Sequence, residues 1–257
     1  MANQVKEVSK DAKRDSQILS ILEENGHTSV HDLCQKLYLS EATMRRALSS
    51  LARKGLIHRT HGGAELLKTF SPAGPFSSRI LLNSSAKRDI ARKAASLVPD
   101  GSIIFLDQSS TAFHLADALT EKKDLTVITN NLEIAQLLAT TNFQVHVSGG
   151  HLCSSARVCL AGEDAHQIFL NICADFVFFS TRSLSEDGII SDCSRDEVNV
   201  RNAMLKHAKR KVFLCDSSKF TSTAGYIQCS LRDVDMLISE EDAAAAFAER
   251  FPNVECL

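Results

Sequence analysis

Apolar residues near the start of the chain recur with the spacing of a helix. Ile18, Ile21 and Leu22 share one face of the segment Asp11–Asn25, and Gly26 follows as a stop signal. This segment is predicted to form a first helix.

Two more short helices are predicted downstream. Ser29 precedes VHDLCQKL, and Asp32 stands three residues after it, as in a capping box. Ser40 is predicted to cap a third helix that runs from Glu41 to Lys54 and ends at Gly55.

The pattern then changes to short apolar runs. LIHRT and AELL flank His61-Gly62-Gly63 and predict a two-stranded hairpin. Residues 68–85 hold two of the four prolines together with several Ser and one Gly, which is typical of a linker. We therefore expect one domain over residues 1–67 and a second over 86–257.

Short β-rich runs and helical patterns alternate through the second domain. Helices are expected over 87–98, 111–119, 132–138 and 197–208 and from 242 onward, and strands in SIIFLD, LTVIT, FQVHVS, ADFVFFS, KVFLCD and MLIS. This alternation predicts an α/β domain with an open, largely parallel sheet.

The third helix has two different faces. Met44, Leu48 and Leu51 form the stripe that packs on the first two helices. The opposite face carries small, polar and cationic side chains, namely Ala42, Arg46, Ser49 and Arg53. Thr43 and Arg45 flank this face. Such a face suits entry into a DNA major groove, although an exposed arginine face is more often simply solvated.

Charge and context favour nucleic acid. The first 70 residues hold eleven Lys and Arg against eight Asp and Glu, whereas the remainder holds eighteen against twenty-three. Three helices followed by a hairpin are the layout of a winged helix-turn-helix. Arg59 and His61 would lie on the wing, where Gly62-Gly63 lets backbone N–H groups approach phosphates.

Composition excludes several classes of protein. The 44% hydrophobic and 23% charged content is that of a globular protein, and no apolar run approaches the roughly 18 residues of a membrane span. With no signal-peptide segment, we expect a cytoplasmic protein with reduced thiols, since its eight cysteines form no C-x-x-C pair. The sequence has no metal-ligand spacing, Walker A or G-x-G-x-x-G motif, so no metal or cofactor is expected.

The stretch LSEATMRRALSSLARKGLIHRTHGGAE resembles the signature of the DeoR family of bacterial sugar-metabolism regulators, apart from Ala47 in place of the customary aspartate. The resemblance implies DNA binding by Ser40, Thr43, Arg45, Arg46, Ser49, Arg53, Arg59, His61, Gly62 and Gly63.

In the second domain, SIIFLDQSSTAFHLA is a strand, a polar loop and a helix. This arrangement aims backbone N–H groups and the hydroxyls of Ser109, Ser110 and Thr111 at an anion, unless these residues merely cap the helix. The DeoR loop reads D-x-G-T-T; Asp107 and Thr111 match it, whereas Ser109 and Ser110 differ.

The resemblance further implies a sugar-phosphate sensor similar to pentose-phosphate isomerases. Its landmarks here are Thr129, Asn130, Gly149, Gly150 and Lys219, with Lys219 facing the ligand phosphate, while Ser180 replaces a glycine.

These patterns predict a transcriptional regulator, a repressor of a carbohydrate-utilisation operon, acting as a dimer or tetramer on operator DNA. Two alternatives stay open. One is a sugar-phosphate isomerase with an accessory helix-turn-helix, although the carboxylates that such an enzyme needs are not in register. The other is a helix-turn-helix module that docks protein.

Overall fold

The structure is a computed structural model, and it describes residues 14–15, 17–19, 21–22, 25–53, 56–66, 76–153 and 157–257. The chain divides into two compact units, Met1–Ser84 and Ser85–Leu257. The predicted domains of residues 1–67 and 86–257 fall within these units.

The N-terminal unit contains the predicted helices and hairpin. The described residues between 14 and 25 are helical, and two helices follow at Val30–Leu37 and Glu41–Arg53. The strands Ile57–Thr60 and Gly63–Leu66 pair as the predicted antiparallel hairpin, and Thr28–Ser29 adds a third strand. Lys54 and Gly55, the predicted end of the third helix, lie outside the described residues.

One apolar cluster holds this unit together. Met44, Leu48 and Leu51 are each 0% exposed and pack with Ile18 and Leu33. Full burial stabilises each such side chain by about 1.5–3 kcal/mol relative to solvent exposure, so the predicted stripe fixes which face of the third helix remains in solvent.

A helix that sequence analysis did not anticipate spans Phe76–Leu81, inside the segment expected to be a linker. Phe76 is buried, and Leu81 and Leu82 pack against the apolar cluster of the N-terminal unit. Both prolines lie before the helix, whereas Ser77 and Ser78 lie within it, and its apolar residues Phe76 and Ile80 have helical spacing. Residues 67–75 are not among those described.

The second unit is built on the predicted parallel sheet. All seven strands run parallel, in the order Glu255–Cys256, Met236–Ile238, Ala208–Leu214, Ala174–Phe179, Ile103–Leu106, Thr126–Thr129 and Gln144–Val147. Apolar clusters cover both faces, as a parallel sheet requires. The longer helices are Ser84–Ser96, Ser110–Ala118, Leu132–Leu138, Glu163–Leu170 and Arg195–Lys206.

Several small elements were not predicted. A three-stranded antiparallel sheet joins Ser183–Leu184, Ile189–Asp192 and Tyr226–Ser230, and a two-stranded one joins His151–Leu152 and Leu160–Ala161. The helix Glu163–Leu170 was also missed, and the alanine-rich helix expected from Asp242 is confined to Ala245–Ala248. No helix among the described residues is long and apolar enough to cross a membrane.

The order of strands creates one special position. Ile103–Leu106 lies between Thr126–Thr129, the next strand of this sheet along the chain, and Ala174–Phe179, which follows after the chain crosses back. The loops after Ile103–Leu106 and Ala174–Phe179 therefore diverge at the carboxyl edge of the sheet. In open α/β sheets this switch point is where ligands bind.

Candidate functional site

The third helix, Glu41–Arg53, is called the recognition helix after its predicted role, and it presents the predicted polar face. Ala42, Arg46 and Arg53 are exposed, and Ser49 is half-buried beside them. Ser40 sits at the start of the helix, where its Oγ accepts from Thr43 N at 3.3 Å and lies 2.9 Å from Thr43 Oγ1. The end of the helix that would enter a groove is therefore held by a serine cap.

The arginines of this unit differ in what they contact. Arg45 pairs with Glu41 at 3.3 Å on the surface, whereas Arg46 and Arg53 make no ion pair or hydrogen bond with any described residue. Arg59 on the hairpin donates from Nη1 to Ser49 Oγ at 3.0 Å, and Ser49 in turn donates to Arg45 O at 2.8 Å. The hairpin arginine is thus held beside the polar face of the helix.

The two glycines at the tip of the hairpin have different roles. Gly62 is exposed with φ of +83° and open space around it, so its backbone is accessible. Gly63 is buried, and a Cβ there would lie 2.5 Å from Thr28 O, so glycine is required for strand pairing. His61 is exposed between the strands.

At the switch point, Asp107 is 0% exposed and organises two loops. Its Oδ1 accepts from Ser109 N at 3.1 Å, and its Oδ2 accepts from Ser180 N at 3.2 Å and from Arg201 Nε at 2.9 Å. Because both oxygens are engaged, Asp107 acts on the loops that would surround a ligand.

Arg201, which sequence analysis missed, is the centre of a buried polar network. It is 0% exposed and donates to Asp107, to Asp192 Oδ2 at 3.1 Å and to Gln228 Oε1 at 2.7 Å. Burial favours a lower pKa for Arg201, but the neighbouring carboxylates outweigh it and raise the pKa. It therefore stays charged and ties the switch point to the antiparallel sheet that contains Asp192 and Gln228.

The loop after Ile103–Leu106 contains a serine that caps the following helix and two buried polar atoms without hydrogen-bond partners among the described residues. Ser109 Oγ accepts from Ala112 N at 3.0 Å, which is the capping role weighed above, and Ser110 is buried. Thr111 Oγ1 and Gln108 Oε1 are buried and have no hydrogen-bond partner among the described residues. Buried polar atoms are normally hydrogen-bonded, so both are candidate ligand contacts, and Gln108 was not predicted.

The neighbouring loop adds a third unused atom. Asn130 Nδ2 donates to Leu160 O at 3.0 Å, while its buried Oδ1 has no partner within the described part of the chain. Thr129 Oγ1 instead accepts from Asn131 N at 3.1 Å and so belongs to the turn. Asn131 Nδ2 donates to Gln108 O at 3.2 Å, which joins this loop to the previous one.

Lys219 reaches the same switch point from the loop after Ala208–Leu214. Its side chain is only 14% exposed, and Nζ lies 2.8 Å from Ser180 Oγ and 3.2 Å from Asp216 Oδ2. Ser180 also donates to Leu214 O at 2.5 Å. Lys219, the cation predicted to bind the effector, therefore lies next to the loop that Asp107 orders.

Gly149 and Gly150 lie farther from the switch point than the other predicted residues. They follow Gln144–Val147, the edge strand, two strands or about 10 Å from Ile103–Leu106. A Cβ on Gly150 would lie 2.2 Å from Ala161 O at a φ of +100°, so packing alone requires glycine there. Among the described residues, no three His, Cys, Asp or Glu side chains group as metal ligands would.

Two family models together match most of the chain. Residues 14–70 match the DeoR-like helix-turn-helix domain, and residues 82–241 match the DeoR C terminal sensor domain. The chain belongs to the DeoR family.

Similar DeoR-family relatives extend over nearly the whole chain. The HTH-type transcriptional repressor CsqR of Escherichia coli is 31% identical over 92% of this chain and 90% of its own length. The L-fucose operon activator of Haemophilus influenzae is 32% identical over 88% and 91%. The glycerol-3-phosphate regulon repressor of Escherichia coli is 29% identical over 90% and 91%.

Solved structures are similar over a smaller part. Ribose 5-phosphate isomerase A from Neisseria gonorrhoeae gives a TM-score of 0.38 at 16% identity over 53% of each chain. eIF2B beta from Chaetomium thermophilum gives a TM-score of 0.46 at 14% identity, over 68% of this chain and 55% of its own.

The structure shows what surrounds two of the residues that depart from the DeoR pattern, Ala47 and Ser180. Ala47 is 1% exposed and belongs to the apolar cluster with Met44 and Leu48, so this helix position faces the core. Ser180, in place of glycine, supplies the hydroxyl that contacts Lys219. These two departures therefore affect packing or hydrogen bonding without removing a cation from either site.

Proposed function

We propose that this DeoR-family protein binds operator DNA in the cytoplasm and represses a carbohydrate-utilisation operon. The observation that carries the proposal is the exposed face of the recognition helix, on which Arg46 and Arg53 lie free of described partners while Arg59 is held beside Ser49. Arginines in this position can bind phosphates or the O6 and N7 atoms of guanine. The relatives named as regulators of transcription support the same reading.

A phosphorylated sugar is the proposed effector. Lys219 supplies a cation at the switch point, and the helix Ser110–Ala118 directs its N-terminal N–H groups toward the same edge of the sheet. Buried, unused oxygens on Gln108, Thr111 and Asn130 suit the hydroxyl groups of a sugar.

Regulation further requires an oligomer, either a dimer or a tetramer. One recognition helix makes too few contacts to select a single genomic site, so two or more heads must bind repeated half-sites. The sugar phosphate must bind one arrangement of these heads more tightly than another, because only differential affinity can change DNA binding.

A binding role also fits the acidic groups of the second unit better than isomerase catalysis does. An aldose–ketose isomerase needs a carboxylate base that faces the substrate carbon. Asp107 is engaged by Arg201, and Asp216 lies 3.2 Å from Lys219. We therefore propose that the unit senses the sugar without converting it.

The direct test is selection of genomic DNA fragments by the full chain, followed by a panel of sugar phosphates. We expect selected fragments to share repeated half-sites and one sugar phosphate to change their affinity and raise the melting temperature of the protein. Turnover of that sugar would favour the isomerase alternative. Failure to select any DNA would favour the protein-docking alternative.

A further inference from the structure

One side chain of the N-terminal unit is exposed without an evident structural reason. Tyr38 is 94% exposed, the largest fraction among the large exposed hydrophobic residues of the described chain. Its hydroxyl makes no hydrogen bond to any described residue. An aromatic ring of this size normally buries most of its apolar surface, so its full exposure calls for a partner outside the chain.

The backbone of Tyr38 is fixed in an unusual conformation. Its φ of 53° and ψ of 43° are left-handed, and its N–H caps the helix Val30–Leu37 by donating to Cys34 O. Glycine is the usual residue at such a cap, and a bulky side chain costs about 1–2 kcal/mol there. The turn therefore keeps a tyrosine in a backbone conformation that is energetically costly for it, with its side chain in solvent.

The position in the fold indicates which partner would use this side chain. Tyr38 stands in the turn between the helix Val30–Leu37 and the recognition helix, three residues before Glu41. In helix-turn-helix complexes the first of these helices crosses the DNA backbone, while the second enters the major groove. Exposed Lys36 adds a cation at the end of the first helix, so the surroundings suit a phosphate.

We propose that the Tyr38 hydroxyl donates a hydrogen bond to a DNA phosphate beside the groove that the recognition helix enters. Tyrosine is among the side chains that make such contacts, which position a protein without reading sequence. The proposal rests on the DNA-binding function proposed above. It adds an uncharged contact from the turn to the arginines of the helix and hairpin.

The test uses sequence-independent binding, so no operator is needed. The full chain is titrated against a labelled generic duplex of about three helical turns, roughly 30 bp, by fluorescence anisotropy, at a salt concentration of about 50 mM. Removing one hydrogen bond in Tyr38→Phe should weaken binding roughly five-fold. Tyr38→Gly should weaken it at least as much while its melting temperature stays equal or rises, because glycine relieves the strained cap.

Two controls separate this contact from other effects. Tyr226→Phe changes the other tyrosine of the chain and should bind as the wild type does. The slope of log affinity against log salt should stay at the wild-type value in both Tyr38 variants, because no charge is removed.

Wild-type affinity in Tyr38→Phe would overturn the hydrogen bond, even if Tyr38→Gly bound more weakly, and would leave the DNA-binding function intact. Absence of duplex binding by the wild-type chain itself would overturn both.

Discussion

Arg46 in the N-terminal unit and Arg201 in the second unit place the same guanidinium group in opposite environments. Arg46 is exposed and makes no ion pair with any described residue, whereas Arg201 is 0% exposed and bonds to Asp107, Asp192 and Gln228. An exposed arginine keeps its donors available for a polyanion. A buried arginine is tolerated only because carboxylates compensate for its lost hydration. The two residues therefore predict different losses on substitution, one in binding and one in stability.

The largest effect should come from Arg201→Met, which keeps the volume and removes the charge. It leaves Asp107 and Asp192 buried without their cation, and breaking such a pair costs about 3–5 kcal/mol. We expect denaturant unfolding of the full chain to show this loss in the second unit. Arg201→Lys, which keeps the charge but loses the forked donors, should lose less. Unchanged stability in Arg201→Met would show that the network is not what orders the two loops.

Arg46→Ala should have the opposite profile. Loss of a base or phosphate contact should weaken binding to a selected DNA fragment by roughly 1–3 kcal/mol, while the free energy of unfolding changes by no more than about 0.5 kcal/mol, as for other surface substitutions. Arg250→Ala, which removes an exposed arginine from the second unit, is the matched control. Undiminished affinity in Arg46→Ala would contradict the assigned helix face.

A smaller effect is expected from Ser49→Ala. This change removes the hydroxyl that holds Arg59 at 3.0 Å, and one such hydrogen bond contributes about 0.5–1.5 kcal/mol. DNA affinity should fall by that amount without a loss of helix stability, since alanine favours helix. Ser50→Ala makes the same change one residue away, so equal losses in both variants would rule out a specific role for the link to Arg59.

The same contrast explains what the sequence could predict. Met44, Leu48 and Leu51 identify the buried face of the recognition helix by spacing alone, because burial there depends on one local period. Six of the seven parallel strands are likewise visible as short β-rich runs, whereas the strand Glu255–Cys256 was not predicted. The strand–loop–helix pattern around Asp107 indicated a candidate anion site, and resemblance to a family added Lys219. In the structure both residues lie at the switch point.

Other features depend on residues distant in sequence and have no local signal. Arg201 lies among polar residues in Arg195–Lys206, so the local sequence predicts an exposed side chain. It is buried instead, because it bonds to Asp107, 94 positions away. Ser183–Leu184 is a two-residue strand that exists only through pairing with Ile189–Asp192. Gln108 has a buried oxygen without a described partner, and only the packing around the loop reveals it.

The most direct test of the central claim is the salt dependence of duplex binding by the wild-type chain and by Arg46→Ala combined with Arg53→Ala. If the exposed helix face neutralises DNA phosphates, log affinity should fall steeply with log salt, and the double variant should lose about one unit of slope for each phosphate contact removed. A shallow, salt-independent interaction that is the same in both proteins would contradict the account.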